Sequence, residues 1–121
     1  MEINKLPVYN AVRALFKQFE ESTKNKPINI KRGSIAWVEE LLIETMDEIS
    51  FANSAESEPK ERMERINSAR ERLRKVQVRV RTLLDLHIIH QKGYDAIIRE
   101  ESKAMRQLNG WARSTLNNIE Q

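Results

Sequence analysis

The sequence predicts an all-α protein, an antiparallel up-down-up-down bundle of four helices in a single domain spanning residues 1–121, and three observations predict it. Glycine and proline are scarce, 3 of each in 121 residues. Apolar residues recur at steps of three and four, the spacing of one helix face, and no segment alternates as a half-buried strand would. Polar breaks near residues 23–30, 54–58 and 90–93 divide the chain into four long segments, and connections that short place successive helices side by side in opposite directions.

The first helix is predicted from about Pro7, whose missing N–H costs nothing at a first helical position, to about Ser22. Its stripe is Val8, Ala11, Val12, Leu15, Phe16 and Phe19. After the polar stretch Thr23 to Ile30, broken by Pro27, a second helix over about Lys31 to Asn53 carries Val38, Leu41, Leu42, Thr45, Ile49 and Ala52 on one face, with Trp37 beside it. Pro59 opens a third helix reaching to about Ile89. Along it Ile66, Ala69, Leu73, Val76, Val80, Leu83 and His87 alternate steps of three and four, a heptad seam. A turn at His90 to Gly93 leads to a fourth helix ending near Leu116, with Tyr94, Ile97, Ile98, Met105, Leu108 and Trp111 inward.

Composition excludes several classes of function. The chain has no Cys, which removes disulfides, cysteine-rich zinc sites and cysteine catalysis. No apolar run approaches the ~20 residues a membrane span requires, and residues 1–10 lack the basic flank and apolar core of a signal peptide, so a cytoplasmic protein without membrane contact is expected. No Gly-rich phosphate loop, nucleophile elbow or His-Glu-x-x-His motif is present. A carboxylate-bridged di-metal bundle needs Glu three residues before an inward His, but Leu84 and His87 precede His87 and His90 at that spacing. The expectation is a non-enzymatic chain with no catalytic residues, metal ligands, cofactor or small-molecule substrate.

Charge supplies the remaining signal. Up to Ala55 the chain holds 7 basic and 8 acidic residues, and from Glu56 onward 14 and 10. Between Lys60 and Arg81 nine basic side chains meet three carboxylates. On a helix, Arg65, Arg72 and Arg79 form a row along one flank of the seam, at intervals of seven, while Arg70, Arg74 and Arg81 line the other. Arg70, Arg72 and Arg79 have no carboxylate at the offsets where helix neighbours pair. Two destinations stay open for these guanidinium groups. Solvent-facing, they suit phosphate oxygens; turned toward the second helix, they meet Glu39, Glu40, Glu44, Asp47 and Glu48. Aromatic residues are not interleaved with the arginines in sequence, so nucleic-acid contact is expected to be directed at the backbone. Opposite the seam, Val78, Thr82, Leu86 and Ile89 form a second apolar stripe, with Val78, Leu86 and Ile89 expected at a subunit interface.

Several motifs carry a resemblance. Val80-Arg81-Thr82-Leu83-Leu84-Asp85-Leu86, Gly93-Tyr94, and Arg106-Gln107-Leu108-Asn109-Gly110-Trp111-Ala112-Arg113-Ser114 resemble the four-helix-bundle family that includes the accessory variability determinant (Avd) of diversity-generating retroelements. Leu6-Pro7-Val8-Tyr9 and Phe51-Ala52-Asn53 are similar to the same family, so the resemblance spans almost the whole chain. A related branch comprises bundles encoded by intervening sequences in large-subunit ribosomal RNA genes. The resemblance implies a homopentameric ring with a positive surface that binds the element's reverse transcriptase and RNA or DNA, supporting mutagenic copying and retrohoming. Carried onto this chain, the basic positions are those of the third helix, with Arg81 and Asp85 in the motif and Arg79 beside it; Gly110 would let helices approach and Trp111 would bury its ring. The competing class is a structural protein-interaction module of the ribosomal RNA intervening-sequence type that does not touch nucleic acid.

Overall fold

The computed structural model describes residues 1–56 and 58–120, and every long element in them is a helix. Of the connection expected over residues 54–58, Ser57 lies outside the described residues. Four helices dominate: α1 (Pro7–Thr23), α2 (Ala36–Ser54), α3 (Pro59–Asp85) and α4 (Gln91–Glu120). No described residue is in a strand, and no described helix is long and apolar enough to cross a membrane.

Each helix exists where its apolar stripe can be buried. Pro7 occupies the first turn of α1, and Val8, Val12, Leu15 and Phe19 are buried at steps of three and four. The Thr23 hydroxyl donates to the Phe19 carbonyl at 2.8 Å as the helix ends. Helix resumes earlier than expected, at Ile28–Ile30, and passes through a wide turn, Lys31–Ile35, before α2 begins. The departure sits at Gly33, whose backbone (φ −98°, ψ −108°) leaves the helical region without ending the helix. On α2, Val38, Leu42, Thr45, Ile49 and Ala52 are buried.

Pro59 opens α3, and Ile66, Ala69, Leu73, Val76, Val80 and Leu83 are all buried, six of the seven positions in the predicted seam. Burying side chains of this kind contributes about 1.5–3 kcal/mol for each large aliphatic, which makes the seam the mainstay of the fold.

The seventh seam position does not belong to the core. The helix stops at Asp85, and His87 takes a left-handed conformation (φ 60°) with its side chain exposed. The Ile88 N–H donates to the Leu83 carbonyl at 2.9 Å and the His87 N–H to that of Leu84 at 3.0 Å, the paired bonds of a Schellman stop. The reversal carries Ile89 back into the bundle, where it is only 2% exposed. Ile89 is therefore a core residue, not part of an outward apolar stripe or a subunit interface. Beyond it α4 buries Ile97, Ala104, Leu108 and Ala112 together with two polar side chains, Glu101 and Thr115. Gly110 also departs from expectation: a Cβ there would meet nothing within 4 Å, so this glycine serves no close helix approach.

Candidate nucleic-acid interface

The two arginine rows of α3 meet different neighbours. The first row lies against α2 in a ladder. Arg79 stacks over Trp37 at 5.5 Å, Arg72 Nε donates to Glu44 Oε2 at 3.1 Å, and Arg65 stacks over Phe51 at 5.0 Å while donating to Glu48 Oε2 at 3.4 Å. Both sides advance by seven residues per rung, Arg65, Arg72 and Arg79 against Phe51, Glu44 and Trp37. Arg72 is further held by the hydroxyl and carbonyl oxygens of Ser68. Arg65 and Arg72 thus meet the carboxylates of α2, one of the two destinations open to them. Along α3 no aromatics are interleaved with the arginines, as the sequence reads, but α2 supplies rings from its own face, and Trp37 remains 58% exposed. An exposed indole beside a guanidinium offers a stacking surface as well as charge.

The second row faces α4. Arg70 donates to Asn109 Oδ1 at 3.2 Å and to Asn67 Oδ1, while its Nε is buried with no partner among the described residues. Arg81 donates to Asp85 Oδ1 at 3.1 Å and lies over Tyr94 at 5.9 Å. Arg74 is exposed and, among the described residues, makes no ion pair. With Gln77 it forms the α3 wall of a cleft of about 360 Å³ whose α4 wall is Glu101, Ser102, Met105, Arg106 and Asn109. Glu101 is 4% exposed, and desolvation raises its pKa above the ordinary carboxylate value. Its burial had a legible sign, since Ile97, Glu101, Ala104 and Leu108 share the phase of one helix face.

The remaining predicted positions divide. Val78 and Leu86 are 67% and 61% exposed, and Val78 lines a shallow cleft of about 460 Å³ with Glu71, Arg74, Lys75, Arg79 and Thr82. Trp111 is half-buried beneath Arg62, at 5.3 Å. On the opposite side of the bundle a wider groove, about 660 Å³, separates α1 from α2 and is lined by Tyr9, Arg13, Phe16, Ile43 and Met46 among others. Glu20 on its wall is pushed up to about 7 by desolvation, by a hydrogen bond shared with Glu39 and by the Glu39 charge, against an opposing pull from Lys31. No family model matches this chain, and no curated protein matches it.

Proposed function

We propose that this chain is a non-enzymatic accessory protein of the Avd type, a cytoplasmic homopentameric ring that binds a reverse transcriptase and the backbone of its RNA or DNA to support mutagenic reverse transcription and retrohoming. The observation that carries the reading is the exposed cationic strip of α3, where Arg74 and Arg79 have no carboxylate partner among the described residues and an open indole lies beside Arg79. The motif resemblance supplies the partner and the ring. An antiparallel arrangement is part of the reading. In its support, the rungs Phe51–Arg65, Glu44–Arg72 and Trp37–Arg79 stand 7, 14 and 21 residues on either side of Glu58.

For the ring, the exposed Val78 and Leu86 are the interface candidates that remain. Leu86→Glu, away from the cations that surround Val78, is expected to reduce the assembled mass measured by light scattering while leaving helicity largely unchanged, because an unpaired charge buried between subunits costs several kcal/mol. A monomeric parent protein at micromolar concentration would remove the ring from the proposal.

The strip is tested by salt dependence. Each phosphate neutralised adds about 0.7–0.9 to the slope of log affinity against log salt. Arg74→Gln with Arg79→Gln is expected to flatten that slope and weaken binding to unrelated sequences by similar factors, at less than about 1 kcal/mol of stability. An unchanged slope would favour the second reading, a structural interaction module of the ribosomal RNA intervening-sequence type. That alternative draws on the pairing of Arg65 and Arg72 with Glu48 and Glu44, which matches both charges within the chain on its half-exposed flank.

A further inference from the structure

The α3–α4 cleft holds a combination that the bundle itself does not use. Glu101 is almost wholly buried and has no hydrogen-bond or ion-pair partner among the described residues, yet it forms part of the cleft lining. A carboxylate so placed offers acceptors only, and no N–H group of the described residues is seen to donate to it, so those acceptors open to the cleft. Arg74 and Arg106 line the same cleft, and Arg70 adjoins it through Asn109. With Arg74 and Arg106 on its lining and Arg70 nearby, the cleft disfavours an ammonium or guanidinium ligand and suits one that brings neutral N–H donors together with negative charge elsewhere. A nucleotide has this constitution.

Among the bases, guanine alone fits an ionised carboxylate with two bonds. Its Watson–Crick edge presents N1–H and an N2 amino hydrogen side by side, whereas adenine and cytosine set an acceptor nitrogen beside their amino group and uracil flanks its single N–H with carbonyls. Gln77 and Asn109 supply amide donors of the kind guanine O6 accepts, and Asn109 Oδ1 is already committed to Arg70. Met105 supplies an apolar wall, and the cleft, at about 360 Å³, falls within the size range of small-ligand sites.

We propose that the α3–α4 cleft is a guanine-nucleotide site in which Glu101 accepts from the base edge and Arg74 and Arg106 hold the phosphate. A strand-borne guanine and a free mononucleotide share this chemistry, and the strand-borne form rests on the nucleic-acid reading above.

The test is calorimetric titration of the full chain with guanosine and adenosine 5′-monophosphates. Guanosine monophosphate is expected to bind about tenfold more tightly or better, as a bidentate base contact provides. Glu101→Gln should abolish that preference and leave a common phosphate-driven affinity, and Arg74→Gln should weaken both nucleotides alike. Single-stranded oligouridine with one central guanine, compared with one central adenine, identifies the source. Preference in both formats assigns the site to strands, and preference for the mononucleotide alone assigns it to free nucleotide. Equal affinity for the two bases in both formats would overturn the site, even if unrelated strands bind with steep salt dependence. Guanine preference without any strand binding would instead overturn the nucleic-acid reading and leave the site standing. A Glu101→Gln protein with a lowered thermal midpoint would mean that Arg74 already holds the carboxylate within the chain, and the site would fall.

Discussion

The α2–α3 seam and the α3–α4 seam are built on the same helix with similar arginine spacing, yet they treat charge in opposite ways. On the α2 side, Arg65 and Arg72 are matched by carboxylates and Arg79 lies on an indole. On the α4 side, Arg81 pairs only within its own helix, with Asp85, while a buried carboxylate and the exposed Arg74 line one cleft without forming a pair. What separates them is the face each neighbour presents. α2 places Trp37, Glu44 and Phe51 at intervals of seven to meet the arginines, whereas α4 places Glu101 in phase with its apolar stripe, where burial precedes pairing. A helix's charge pattern therefore acquires meaning only from the helices packed on its two flanks.

The largest effect is expected from removing the unmatched carboxylate. Glu101→Leu is expected to raise stability by about 1–2 kcal/mol near pH 8, because ionising a buried carboxylate without a partner opposes folding. The pH dependence has a definite sign. The folded-state pKa of Glu101 lies above its ordinary value of 4.5, so the parent protein loses stability as pH rises from that value through the folded pKa. Denaturant unfolding should show the advantage of Glu101→Leu shrinking on acidification, and an advantage independent of pH would contradict this account.

Smaller, and on the matched side, a double-mutant cycle of Arg72→Ala and Glu44→Ala should return a coupling of about 0.5–1 kcal/mol that falls as salt is added. The same cycle on Arg74 and Glu101 should return close to zero. If the two cycles agree, the seams do not differ in the way described.

The smallest effect belongs to the aromatic end of the ladder. Trp37→Leu keeps an apolar side chain on α2 but removes the ring beneath Arg79, and it should cost about 0.5 kcal/mol, the worth of an exposed cation–π contact. Thermal melts of Trp37→Leu in the parent and Arg79→Gln backgrounds would isolate that contact, and an equal cost in both would deny it.

Much of the bundle was legible because burial and helical period coincide. The α3 seam from Ile66 to Leu83 and the α2 stripe from Val38 to Ala52 are buried as their spacing predicts. The end of α3 was hidden by the same periodicity, since His87 falls in phase with the seam. The usual glycine signal for a left-handed stop is absent there, and His87 adopts that conformation itself. The early helical turns before α2 were hidden by Pro27, which read as a breaker, and the wide turn at Gly33 falls inside a stretch that read as plain helix. Of the candidate interface, both arginine rows and the α2 carboxylates open to them were readable, but which arginine meets which was not, because pairing Arg72 with Glu44 requires the register between helices. The stacking of Trp37 and Phe51 on Arg79 and Arg65 was hidden for the same reason, since these rings lie far in sequence from the arginines they support.

The groove between α1 and α2 bears on the order in which the bundle comes apart. An open groove between those helices is expected to leave backbone hydrogen bonds on that side of α1 less shielded than those in the α2–α3 seam. The α2–α3 pair, by contrast, is clamped across its flank by the Arg65 and Arg72 bonds and across its end by Arg62, which donates to the Ala52 carbonyl at 3.0 Å. Opening is therefore expected as a partial event before a global one: native-state hydrogen exchange should report α1 detaching from α2 below the free energy of complete unfolding, with α2 and α3 as the last protected unit.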